Sequence, residues 1–191
     1  KNTEKQIPKL FCNFADKYRR NRCMTEIKIN DQVLRDAASE GNDAFVKAFV
    51  DAIYDHIGGP LTAETMSMLN ANQITLLAFQ IVHDEVMDGG FVQLIHNGYG
   101  PFIFKNPFAK SLRTWGMKEM AKLINKAHDL YRDNHEEIEK ECSDEEFMAL
   151  FERYPKFDDL DDLFIENEEE WVSEVAHFID EHIEQFATIT E

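Results

Sequence analysis

The chain has 191 residues and a mass of 22.3 kDa, with 20 Lys and Arg against 37 Asp and Glu, a formal net charge of −17. That length suits one domain with an ample core, and 15 Phe with 43% hydrophobic residues argue against disorder. A pI near 4.7 argues against direct nucleic-acid binding and against docking on an anionic membrane, both of which need excess Lys and Arg, and no apolar run is long enough to span a bilayer.

Residues 1–30 read as a basic N-terminal arm carrying Lys1, Lys5, Lys9, Lys17, Arg19, Arg20 and Arg22, packing only through Leu10, Phe11 and Phe14. Ile27 and Ile29 alternate within Cys23–Asn30, which predicts one short strand. Cys12, Cys23 and Cys142 are scattered, with no C-x-x-C pair; free thiols in a reducing compartment follow, and the cytoplasm is the expected location.

Residues 31–132 form the predicted helical core. Asn42 is the expected N-cap of a helix with Phe45, Phe49, Ile53 and Ile57 at i, i+4 spacing, closed by Gly58-Gly59-Pro60. Thr62 opens a short helix to about Leu69. Asn72 is the expected cap of the next, striped by Leu76, Phe79, Ile81, Val82 and Val86 and ended by Gly89-Gly90. Phe91–Asn97 reads as a short helix stopped by Gly98 and Gly100. Asn106-Pro107 reads as an N-cap followed by proline at the first helical position, with Gly116 as the stop. A long helix follows, with Met117, Met120, Ala121, Ile124, Ala127, His128 and Tyr131 on one face.

Residues 133–191 hold 22 acidic and 3 basic side chains, net −19, so this stretch carries more than the whole net charge. Phe147, Leu150, Phe151, Tyr154, Phe157, Leu160, Leu163, Phe164, Ile165, Trp171 and Ile179 are interleaved with the acid, which predicts a folded lobe packed on the core rather than a solvated tail. Ser143-x-x-Glu146 is a capping box, and Asn167 is the expected cap of a last helix running to about Phe186. On that helix Val172, Val175, Ile179, Ile183 and Phe186 share one face, while Glu170, Glu174, His177, Glu181 and Glu184 share the other. The fold class is therefore all-α: a compact multi-helix domain of seven or more helices, with an acidic C-terminal helical lobe and one short N-terminal strand.

Asp88-Gly89-Gly90-Phe91-Val92-Gln93, followed by Asn97-Gly98, resembles the signature of the bacterial DNA-mimic proteins of the neisserial type. The likeness extends over roughly residues 70–131, from the helix before the Gly-Gly turn to the hydrophobic helix ending at Tyr131. It implies a helical fold, no catalysis, a homodimer and a protein that occupies DNA-binding surfaces; no cofactor is expected, and the acidic charge points to a basic DNA-binding partner such as a transcription regulator.

Within the matched motif, Gly89-Gly90 is expected to break the chain between two helices where a positive φ is needed. Phe91 would staple the turn, and Gln93 and Asn97 would satisfy loose backbone ends. Asp88, Gly89, Gly90, Phe91, Gln93 and Asn97 thus read as structural. Tyr99, Phe102, Phe104 and Phe108 are too many aromatics for a free loop and predict packing under the core or across a dimer.

No metal site is expected: His83-Asp84-Glu85 with Asp88 reads as solvated carboxylates, and Glu174-x-x-His177 lacks the second Glu-x-x-His of a di-iron site. No nucleophile motif or phosphate loop is present, so there is no positive sign of an enzyme. The function expected first is an interaction protein whose acidic surface imitates a nucleic-acid backbone, carried by Asp158, Asp159, Asp161, Asp162, Glu166, Glu168, Glu169, Glu170, Glu174, Glu181 and Glu184. The rival is a helical binding module using the Gly-Gly-Phe turn and the aromatic segment, with the acidic lobe serving solubility.

Overall fold

The computed structural model describes residues 26–191; the arm up to residue 25, with Leu10, Phe11, Phe14, Cys12 and Cys23, lies outside the described residues. The elements are β1 (Lys28–Asn30), α1 (Asp31–Glu40), α2 (Asn42–Ile57), α3 (Ala63–Met66), α4 (Ala71–His96), α5 (Gly100–Phe104), α6 (Phe108–Thr114), α7 (Lys118–Ile138), α8 (Asp144–Arg153), α9 (Asp158–Glu181), a 3-10 turn Ile183–Gln185, and β2 (Thr188–Thr190). The all-α class holds. The two strands pair in parallel, Ile29 opposite Ile189, and bring the ends of the described chain together.

Three helix starts differ from the sequence expectation, and α1 is a helix for which no cap was expected. Asn30 caps α1, its Oδ1 accepting from the Gln32 and Val33 amides. Gly41, at φ 131, then separates α1 from α2, so Asn42 is already helical rather than a cap. At α4 the cap is Asn70, not Asn72: Asn70 and Gln73 exchange side-chain and backbone hydrogen bonds, both at 2.9 Å. Asn72 is thereby released to accept from the Trp115 indole N–H at 3.0 Å and to donate to the Gln185 side chain. Asn106 donates to the Phe102 carbonyl at 2.9 Å, and Pro107 itself stands at the cap position of α6.

The largest correction concerns the C-terminal helix. α9 begins at Asp158, nine residues before the expected cap, and runs unbroken to Glu181. Asn167 lies inside it, its side-chain amide donating to the Leu163 carbonyl. The polar run around Asn167 is a solvated flank and not a break, because Leu160, Phe164 and Trp171 continue the buried stripe across it. At the other end Phe186 is buried but lies past the helix, after the 3-10 turn. The expectations at Thr62, Gly58, Gly116 and the Ser143–Glu146 capping box agree with the structure.

α9 packs against α2, α4 and α7, and α4 also against α5, α6 and α7. The core is one continuous cluster that includes Phe49, Phe79, Phe91, Tyr131, Phe164 and Val175. Trp115 joins the lobe to the core: its ring stacks on Phe178 at 4.6 Å between centroids and meets Phe186 edge-on. Gln73, one of two buried polar side chains among the described residues, donates to the Phe186 carbonyl and ties the chain's end to the start of α4.

Candidate protein-binding surface

α9 is 24 residues long, which at 1.5 Å per residue is about 36 Å. Its buried side carries Leu160, Phe164, Trp171, Val172, Val175 and Ile179. At 100° per residue the opposite side presents Asp158, Asp159, Asp162, Glu166, Glu169, Glu170, Glu174, Asp180 and Glu181, all exposed. Glu184, on the 3-10 turn, extends the exposed acid past the helix end. Asp180 is an addition: it lies on the same arc as Asp162 and Glu169 but was outside the stripe drawn from residue 170 onward.

Like charges crowd along this side. Asp158 and Asp162, Asp162 and Glu166, Glu166 and Glu170, and Glu170 and Glu174 are i, i+4 neighbours, each pair disfavouring the helix by roughly 0.2–0.5 kcal/mol. Partial burial and then the neighbouring Glu170 push the Glu174 carboxyl above its ordinary value. Each large side chain on the buried side returns about 1.5–3 kcal/mol, so packing wins and the acid is held in a row. Among the described residues no Lys or Arg forms an ion pair with α9.

Two of the carboxylates expected on the acidic face project inward instead. Asp161 is half-buried and accepts from the Phe91 backbone N–H at 2.8 Å. Burial, with Asp158 and Asp162 adding to it against the pull of that hydrogen bond, raises its carboxyl to about 7. Glu168 meets the His83 Nε2 at 2.7 Å, with the two side chains 16% and 19% exposed. His83 Nδ1 lies 3.2 Å from Asp84, and the imidazole is raised by its bond to Asp84 and then by Glu168, against the opposing effect of burial. Asp161, Glu168 and the core residue Val175 are spaced by seven, so all three fall on one side of α9.

The Gly-Gly-Phe motif lies where α9 meets α4. Gly89 and Gly90 interrupt α4 with non-helical backbone, and Gly90 has φ 74. A Cβ at Gly90 would stand 2.3 Å from Asp161 Oδ2, and one at Gly89 would stand 2.2 Å from Gln93 Oε1. Gln93 donates to Asp88 at 2.8 Å, and Asn97 donates to Glu85 at 2.6 Å. The two amides therefore bind side-chain carboxylates of the preceding half-helix and not the loose backbone ends. Phe91 is fully buried.

The aromatic segment is helix α5 rather than a loop, and Gly100 begins it instead of stopping the helix before. Phe102, Phe104 and Phe108 are buried within the protein's own core, and Tyr99 is partly buried against it. A Cβ at Gly100 would come 2.4 Å from the Tyr131 ring. Little of this region is left to recognise a partner. A small apolar cleft of about 100 Å³ lies between α4, α5 and α6, bordered by Met66, Ile74, Phe102 and Phe108.

The fold is an all-α one that packs a long helix by its apolar side and leaves most of the helix's carboxylates, with His177 and Leu163 among them, exposed on the other. The chain belongs to the family described as DMP19-like protein, which it matches over residues 67–182. It is 34% identical over 155 residues to the DNA mimic protein DMP19 of Neisseria meningitidis serogroup B, covering 81% of this chain and 93% of that one. The matched span takes in both the Gly-Gly-Phe motif and α9. Among the described residues no helix is long and apolar enough to cross a membrane.

Proposed function

We propose that the chain is a non-catalytic DNA mimic whose α9 surface competes with DNA for a basic DNA-binding protein, such as a transcription regulator. The observation that carries this reading is the exposed row of Asp158, Asp159, Asp162, Glu166, Glu169, Glu170, Glu174, Asp180 and Glu181, continued by Glu184. Its length of about 36 Å matches roughly one turn of duplex, 34–36 Å, and its i, i+4 pairs, with Cβ atoms about 5–6 Å apart, repeat negative charge along that length. Membership of a family that includes a protein named as a DNA mimic supports the same reading.

Asp161 and Glu168 act in this reading as struts that fix α9 to α4, and the exposed carboxylates make the contact. A cationic partner would be steered by the field of the lobe, and the encounter would take place in the cytoplasm. The working assembly is a homodimer, as the family resemblance implies, and sedimentation of the full chain checks it.

Binding through exposed charge is screened within about 8–10 Å at ordinary ionic strength. Affinity for a captured DNA-binding protein should therefore fall steeply with added salt, and duplex DNA should displace it. Affinity that is flat with salt would argue against an electrostatic contact.

A further inference from the structure

We propose that Asp43, His83 and Glu168 form a binding site for a first-row divalent transition ion of the zinc type, which clamps the acidic helix α9 to α2 and α4. Asp43 stands in the first turn of α2, His83 in α4 and Glu168 in α9. One ligand atom from each lies within 4.8 Å of the other two. Residues 43, 83 and 168 are far apart in sequence, so the meeting is a product of the fold and leaves no spacing motif to find.

Three features set this group apart from acid that is merely near acid. The first is an imidazole at its centre, a borderline ligand suited to zinc, nickel or copper more than to magnesium or calcium. The second is outside the ligand group: Asp84 lies 3.2 Å from His83 Nδ1, as a carboxylate does behind a metal-bound histidine to fix its tautomer. His83 Nε2 lies 2.7 Å from the Glu168 oxygen, close enough to share a proton with it. A divalent cation would take the place of that proton, with Nδ1–H then directed at Asp84.

The third feature is Asp43. Among the described residues its side chain enters no hydrogen bond or ion pair, and it is exposed while His83 and Glu168 are half-buried. Ligands around a tetrahedral zinc ion at about 2.0–2.1 Å are spaced by roughly 3.4 Å. Binding would draw Asp43 inward and part His83 from Glu168, now 2.7 Å apart. One imidazole and two carboxylates leave a position for water.

The test is titration of the full chain with Zn²⁺ and Co²⁺ at neutral pH in excess Mg²⁺, on the wild type, Asp43→Asn and His83→Asn. The expected result is one high-affinity equivalent in the wild type, Co²⁺ visible bands of low-coordinate nitrogen and oxygen ligation, and a rise in Tm with Zn²⁺. Asp43→Asn, an exposed change that leaves the fold alone, should lose at least tenfold in affinity, and His83→Asn should lose the bands. Equal titration of wild type and Asp43→Asn, or only weak uptake of several ions that Mg²⁺ displaces, would overturn the proposal. The DNA-mimic reading stands or falls separately, since the exposed carboxylates of the row are unaltered in both variants.

Discussion

The carboxylate of Asp161 accepts a hydrogen bond from the backbone N–H of Phe91 at 2.8 Å. The first turns of the acidic helix thereby cap the second half of α4, at the point where Gly89 and Gly90 break it. A helix N-terminus leaves backbone donors without partners and favours negative charge. Here the partner comes from 70 residues away in sequence, so the family motif and the acidic lobe are one structural unit.

Gly90 is fixed twice over, by its φ of 74 and by Asp161 Oδ2 at 2.3 Å from where a Cβ would be. Gly90→Ala should destabilise the fold by roughly 2–4 kcal/mol, combining backbone strain with loss of the Asp161 contact. Denaturant unfolding followed by circular dichroism measures this. Stability within about 0.5 kcal/mol of wild type would mean that the cap is not needed.

Asp161 gives a pH dependence of definite sign. Its carboxyl titrates at about 7 when folded against 3.8 ordinarily, so the folded protein holds this proton more tightly than the unfolded chain. Its contribution is full below 3.8, falls as pH rises to about 7, and is constant above. Asp161→Asn keeps an oxygen to accept from Phe91 and cannot ionise. Relative to wild type the variant should therefore gain stability between pH 4 and pH 8, by about 2 kcal/mol once the shift is halved for partial exposure. Urea denaturation at both pH values reads it; a difference that does not change with pH would contradict the buried, raised carboxyl.

His83 responds in the same direction. Its imidazole is raised above 6.5 by the bond to Asp84 and then by Glu168, against the opposing effect of burial. Stability from the charged contact is present below 6.5 and is lost as pH rises through the folded value. In chelator-treated protein, Glu168→Gln should lower the His83 titration followed by NMR and remove about 1–2 kcal/mol below neutral pH. Asp84→Asn should lower that titration as well. A titration unmoved by either change would separate His83 from both carboxylates.

Much of the fold is legible in the sequence because helix punctuation is local. The Ser143 capping box, the Thr62 start and the Gly58 stop each depend on a few adjacent residues. The misplaced caps at Asn42, Asn72 and Asn167 have different causes: Gly41 takes the cap position before Asn42, tertiary partners claim Asn72, and Asn167 lies inside a helix that starts earlier. Asn72 is taken by Trp115 and Gln185, and Asn167 by the carbonyl four residues back. The earlier start of α9 brings Asp161 into the helix, whereas Glu168 is in line with Val175 whichever residue opens it. That alignment was available from the spacing of seven. The pairing of Glu168 with His83, and of Asp161 with Phe91, was not, because it depends on how α4 crosses α9.

The most direct test of DNA mimicry is capture of basic DNA-binding proteins from a lysate of the source organism, on the immobilised wild type and on a Glu170→Lys, Glu174→Lys, Glu181→Lys variant. These side chains are exposed, so the variant should keep its helical signal. Mimicry predicts that the wild type retains DNA-binding proteins which moderate salt elutes and competing duplex displaces, with retention by the variant reduced at least tenfold. Equal retention by the variant, or a partner that duplex DNA fails to displace, would contradict the acidic row as a substitute for DNA.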